Sequence, residues 1–267
     1  MRIKIIMALI AVLLINMHLK AEPQEKFDPS GEAIELGIYT SLYAGGWFLG
    51  SLDPFFDRPL IGGVTNRSYV ENETVPSYML AWWTAGTFGL VILLPNDKGM
   101  MNMTTYRNAK GLFETMAYTT FITQFSKTFF GRKRPSYDNY PSSTKETDGR
   151  KSFISGHSST AFALATYGSL FISCQTCSGN KAADYTYKTL TSTALISAAV
   201  YTGWSRVHDH RHHASDVIAG AVTGTAAALT GYIHQNGMRG IFPETGVISF
   251  FPVVTYDWYG AGFSVNM

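Results

Sequence analysis

The sequence predicts an all-α protein, a core bundle of six helices followed by a short C-terminal β appendage. Three observations carry that prediction. Five stretches of 16 to 18 residues hold no charged side chain, and a sixth holds one. Turn-rich polar segments separate them. Hydrophobic residues make up 46% of the chain against 15% charged, enough for a large buried core or for a surface resting on lipid.

Residues 1–21 come first. Arg2 and Lys4 precede an apolar run, and Lys20-Ala21 lead into polar sequence. A basic end, a short apolar stretch and a small residue describe a secretory signal, with an uncleaved anchor as the alternative. Export to the periplasm or beyond is therefore expected. Without this segment the chain holds 18 basic and 19 acidic residues. The slightly basic whole-chain balance then says nothing about nucleic acid. No basic array with interleaved aromatics occurs, so no nucleic-acid partner is expected.

Residues 22–240 form the helical domain. The charge-free stretches are 36–52, 78–95, 159–175, 189–204 and 217–233, and 111–126 contains only Glu114. Each is long enough for a helix, and together they suit a bundle. Trp82, Trp83 and the aromatics of 36–52 are expected in its core. Two long connections, 53–76 and 131–153, interrupt the helices, and loops of that length are usually functional or disordered. Cys174 and Cys177 form a C-x-x-C pair near a helix end. In an exported chain a small disulfide is the expected reading. Residues 241–267 are rich in aromatics, Val and Gly and read as one or two short strands.

The stretches are at the short limit for crossing a bilayer, which takes about 20 residues. They are also rich in Ser, Thr and Gly. A soluble or peripherally attached bundle is the favoured reading, with an integral membrane protein as the alternative. Possible membrane-surface association is kept, and the sequence leaves the oligomeric state open.

Chemistry concentrates in "SRVHDHRHHASD", residues 205–216, which holds four of the chain's 7 histidines. A metal site needs several ligands converging on one point, and no neighbouring Glu or Cys completes a metal-binding pattern. No metal or other cofactor is expected. A phosphate site explains the residues better, once "KTFFGRKRP" and "SFISGHSS" are added. Lys127 supplies a point charge, and Arg134 and Arg206 supply planar forks that match phosphate oxygens. Ser155 can donate its hydroxyl. The Gly156 and His157 amides open a helix, whose free N–H groups and dipole favour an anion. Neutral His212 can attack phosphorus with one ring nitrogen if the other is held, and Asp216 is expected to accept that second N–H. His157 is the candidate general acid for the leaving oxygen.

Those three stretches resemble the signature of the type 2 phosphatidic acid phosphatase superfamily, which also contains bacterial acid phosphatases, lipid phosphate phosphatases and vanadium haloperoxidases. Lys127 to Pro135 matches K-x(6)-R-P, and Ser205 to Asp216 matches S-R-x(5)-H-x(3)-D. In the middle motif, P-S-G-H, Ile154 replaces the proline while Ser155, Gly156 and His157 remain. The Ala of "HHASD" replaces an aromatic often found there. The resemblance covers roughly 77–235.

It implies an all-α bundle with the active site at one end. It also implies a metal-independent phosphatase of phosphomonoesters or diphosphates, lipid phosphates foremost, working through a phosphohistidine. His212, His157 and Asp216 would be catalytic. Lys127, Arg134, Ser155, Gly156 and Arg206 would hold the phosphate of a small-molecule or lipid substrate. Two other classes stay open, a vanadium-dependent haloperoxidase and a non-catalytic membrane-associated binding protein. His208, His210 and His213 are expected at the rim without direct roles, and Arg132 and Lys133 in solvent.

Overall fold

The computed structural model describes residues 29–94, 102–176, 178–237, 252–255 and 258–261. Six long helices carry the described body: α1 Pro29–Ser51, α2 Ser77–Leu93, α3 Met103–Phe130, α4 Gly156–Gln175, α5 Lys181–His208 and α6 Ala214–Asn236. A 3₁₀ turn covers Tyr137–Asn139. The all-helical bundle is thus as expected. The signal segment lies outside the described residues, as does Cys177 with the disulfide expected of it. Of the tail, only two four-residue strands are described, paired antiparallel from Pro252↔Ala261 to Thr255↔Trp258. The rest of 241–267 is outside the described residues, so a β appendage on the bundle is not supported.

Several helices outrun the charge-free stretches that announced them. α3 extends back to Met103 and forward through Lys127, and α5 reaches from Lys181 to His208. Their charges sit at the polar ends of the bundle, where helix can continue after the apolar run stops. Local caps fix the ends. The Asn102 side chain accepts from the N–H groups of Thr104 (2.8 Å) and Thr105 (3.1 Å), and α3 stops at Gly131 with φ +56°. That left-handed residue turns the chain one step after Phe130, as glycine allows at little cost.

α4 runs through the middle of the bundle, packed against α5, α6, α3 and α2, while α1 lies against α3. One core cluster joins Val91, Leu112, Met116, Leu164, Tyr167, Phe171 and Tyr232. A second joins Tyr39, Leu42, Leu49, Tyr118 and Phe121. α6 meets the start of α4 backbone to backbone. A side-chain carbon at Gly224 would stand 2.0 Å from the Ser159 carbonyl oxygen, and one at Gly220 would stand 2.6 Å from that of Ser155.

The outside of the helices is apolar to an unexpected degree. Tyr39 is buried, but Trp47, Phe48 and Trp82 are exposed, Trp82 to 76%. Trp83 packs partly against the core. The expectation that this aromatic set is interior therefore fails for three of its members. Leu190, Val200, Tyr201, Trp204, Ile218 and Val222 extend the apolar surface over α5 and α6. Among the described helices, α6 alone is both long and apolar enough to cross a membrane by length and composition.

Both long connections are ordered and stitched together over one end of the bundle. Phe55 N–H donates to the Thr128 carbonyl (2.9 Å), Leu60 N–H to that of Phe130 (2.9 Å), and Arg67 N–H to that of Pro135 (2.8 Å). This end holds the histidine-rich turn between α5 and α6.

Candidate active site

All eight residues singled out by the sequence meet at that end. Lys127 arrives in the last turn of α3. Arg134 follows the Gly131 turn. Ser155, Gly156 and His157 open α4, Arg206 lies in the last turn of α5, and His212 and Asp216 flank the start of α6.

The elements lock one another through the main chain. Ser155 N–H donates to the Asp216 carbonyl (3.0 Å), and His212 N–H donates to the Arg206 carbonyl (3.0 Å). Ser155 caps α4, its hydroxyl oxygen accepting from the Ser158 N–H at 3.4 Å. A side-chain carbon at Gly156 would stand 3.3 Å from the Lys127 ammonium. Glycine thus lets the helix start and the cation come together.

The His212 ring is oriented without ambiguity. Its Nδ1 lies 2.7 Å from the Ser152 carbonyl oxygen. A carbonyl can only accept, so Nδ1 carries the proton and Nε2 carries the lone pair. Nε2 faces the Arg134 guanidinium at 3.4 Å. Arg134 is itself held by the Arg211 carbonyl (3.0 Å) and the Asp148 carboxylate (2.8 Å).

Asp216 does not accept the imidazole proton directly, contrary to expectation. Its carboxylate is 3.8 Å from Nδ1. It takes the Ser152 hydroxyl (2.6 Å) and the His213 N–H (3.0 Å), and it pairs with Arg132. As the third residue of α6 its side chain turns back to cap the helix, and the Ser152 carbonyl occupies the position beside the ring. Arg132 is also corrected. It is buried, and it bonds to Ser215 (2.7 Å) and the Gly62 carbonyl (3.1 Å) besides Asp216. Lys133 rests over the Tyr137 ring at 4.1 Å.

The remaining histidines turn elsewhere. His208 stacks on Trp204 (4.8 Å). His210, with φ +52°, reaches the Ser68 carbonyl at 3.1 Å, and His213 reaches that of Lys133 at 3.1 Å. Among the described residues no three His, Cys, Asp or Glu side chains gather as a metal site would need.

The electrostatics are those of an anion site. Burial, and after it Arg134, pulls the Lys127 ammonium down to about 8. Burial likewise lowers His212 to about 3, against the upward pull of Asp216 and with Arg134, Lys127 and Arg206 adding to the fall. His157 drops to about 2, through burial and then Arg206, His212, Lys127 and Arg134. Both imidazoles are therefore neutral at pH 7 in the free protein. The Arg206 Nε and the His157 Nε2 are buried without a hydrogen-bond partner. Such a pocket can bind a tetrahedral anion and present an unprotonated ring nitrogen to it.

Two contributors carried no sequence signal, Asp148 and Glu73, and Ser152 opens the "SFISGHSS" stretch without a role assigned to it. Glu73, from the connection before α2, reaches Arg206 at 3.1 Å and lies 3.4 Å from the Arg211 Nε and 3.8 Å from the His157 Nε2. Arg211 was visible in the histidine-rich stretch but belongs to no motif.

The sequence profile of the PAP2 superfamily matches residues 108–238. A PA-phosphatase related-family protein of Dictyostelium discoideum is 28% identical over 163 residues, 60% of each chain. Lipid phosphate phosphatase 1 of Arabidopsis thaliana is 33% identical over 46% of this chain and 42% of its own length. Phospholipid phosphatase 2 of Bos taurus is 37% identical over 33% of this chain and 29% of its own. The chain thus spans about half the length of the first two of these curated relatives. No solved structure matches it.

Proposed function

This chain is related, over residues 108–238, to the PAP2 superfamily, and from that kinship we propose that it is a phosphatase of lipid phosphates. The observation that carries the proposal is the His212 ring. Its proton is fixed on Nδ1 by the Ser152 carbonyl, and its lone pair faces Arg134, with the charges of Lys127 and Arg206 also felt at the ring.

The reaction runs in two displacements. The non-bridging oxygens of the phosphate take Lys127, the two guanidinium forks, the Ser155 hydroxyl and the first amides of α4. These fixed cations and dipoles meet the charge of the transition state and need no metal. The His212 Nε2 forms a bond to phosphorus as the ester P–O bond breaks, and His157, protonated once the phosphate anion offsets the surrounding cations, gives that proton to the leaving oxygen. Water then attacks the phosphohistidine and passes a proton to His157. The P–N electron pair returns to Nε2, and inorganic phosphate leaves. Asp216 acts one step back, holding Ser152 and Arg132.

The exposed apolar belt on α1, α2, α5 and α6 supports a membrane-bound protein and a substrate drawn from lipid. It weighs against the freely soluble bundle favoured by composition. The basic and apolar start at 1–21 supports export, which N-terminal sequencing of the mature protein checks.

The test is direct. Purified protein should release phosphate from phosphatidate with chelator present, and brief incubation with labelled substrate followed by an alkaline quench should trap an acid-labile phosphoprotein. His212→Ala should lose both signals. A His212→Ala variant that retains near-normal turnover would overturn the mechanism.

A further inference from the structure

The phosphatase reading gives His157 a proton to donate, yet four neighbours oppose that proton. Arg206, His212, Lys127 and Arg134 all disfavour a charged imidazole there, on top of burial. Among the described residues one carboxylate stands within 4 Å of the His157 ring, that of Glu73, at 3.8 Å from Nε2.

Glu73 is held there from several sides. Its two oxygens divide between Arg206 (3.1 Å) and Arg211 (3.4 Å). Its neighbours on the chain are pinned as well. Thr74 donates its N–H and its hydroxyl to Asp209, each at 2.7 Å. Arg206 reaches the Val75 carbonyl at 3.2 Å. Arg211 donates to the carbonyls of Val70 (2.8 Å) and Glu71 (3.3 Å) and stacks over the Tyr69 ring at 4.6 Å. This wall belongs to the connection before α2, outside every motif of the sequence and outside the stretch 108–238.

We propose that Glu73 is a positioning residue for the general acid, aligning and holding the proton of His157 while partly neutralising Arg206 until phosphate arrives. The proposal rests on the phosphatase reading. A fixed anion about 4 Å from an imidazole favours its charged, donating form. The same anion competes with phosphate for the Arg206 fork and repels the phosphate itself. Glu73 therefore trades affinity for turnover, and the trade gives it a signature.

Glu73→Gln keeps the size of the side chain and removes the charge. Turnover of an alkyl phosphate, whose alkoxide leaving group needs a proton, should fall about 30-fold, a 2 kcal/mol change. Turnover of p-nitrophenyl phosphate, whose phenolate needs little help, should fall about 3-fold. Inorganic phosphate should inhibit about 10-fold more tightly. The alkaline limb of kcat on the alkyl substrate should shift to lower pH, and Glu73→Asp should restore part of each effect.

Equal losses on both substrates, with weaker phosphate binding, would mean that Glu73 only holds the loop, and would overturn the proposal. No change in any readout would overturn it too. Wild-type protein inactive on both phosphates would instead remove the phosphatase reading, and this inference with it.

Discussion

Two lysines on α3, Lys110 buried and Lys127 half-buried, seventeen residues apart and so about 25 Å along the helix, sit in opposite electrostatic surroundings. Lys110 is matched. It pairs with Glu32 and, at 2.9 Å, with Glu35. Close by, Glu114 is bonded by His234 and Gln235 at 3.0 and 2.9 Å. Lys127, at the other end, has no carboxylate within ion-pair reach among the described residues; Arg134, Arg206 and Lys151 add positive charge to its field, and the more distant Asp148 offsets part of it. Burial of charge is therefore not what marks a site. A compensated charge braces helices together. A cluster in which cations outnumber their carboxylate partners, as around Lys127, is a place kept for an anion.

Removing each lysine's charge tests that contrast most sharply. Lys127→Met should lower kcat/KM on phosphate esters by about a thousandfold, or 4 kcal/mol, with the melting temperature unchanged or raised, because an unmatched charge has gone. Lys110→Met should do the reverse. It leaves Glu32 and Glu35 without their cation, so chemical denaturation should show a loss of about 2–3 kcal/mol, with kcat/KM little altered in the folded fraction.

A third test uses pH. Lys127 loses its proton as pH rises through about 8 in the free protein, and the protonated form is the one that binds phosphate. kcat/KM should therefore fall above that pH by up to about tenfold per unit. Lys127→Arg should remove this limb, since a guanidinium stays charged. A limb that persists in Lys127→Arg would assign it to another group.

The smallest effect separates the two contacts of Ser152. Its carbonyl holds the His212 proton and its hydroxyl holds Asp216. Ser152→Ala keeps the carbonyl, so kcat should drop only about fivefold, the scale of one lost hydrogen bond. A drop as large as that of Lys127→Met would move the key contact from the main chain to the hydroxyl.

The residues of the cradle were legible because each lies at a fixed spacing within a short stretch. Lys127 and Arg134 are held across a single turn, and Arg206, His212 and Asp216 across one helix-to-helix corner. Helix number was legible from charge-free stretches. Helix ends were not, because Lys127 and Arg206 continue helices beyond their apolar runs. Glu73 was hidden, since it reaches the site through a loop that is distant in sequence and carries no pattern. Arg132 read as a surface charge because nothing nearby in the chain announces Asp216 as its partner. The placement of Asp216 one shell behind His212 depends on which carbonyl lies closer to the ring, a matter of loop path that residue spacing does not encode. Trp82 misled for another reason. Apolar character says that a side chain avoids water, but not whether protein or lipid shields it.

The seam of Gly220 and Gly224 against Ser155 and Ser159 divides the molecule into parts that can change and parts that cannot. Spacing there is set by main-chain atoms in direct contact, so even a methyl group would wedge the helices apart and tilt the first turn of α4, where Ser155, Gly156 and His157 sit. The wall formed by 53–76 meets the rest of the site mainly through side chains, but at Gly63 it too is closed, since a side-chain carbon there would stand 2.5 Å from the His213 ring.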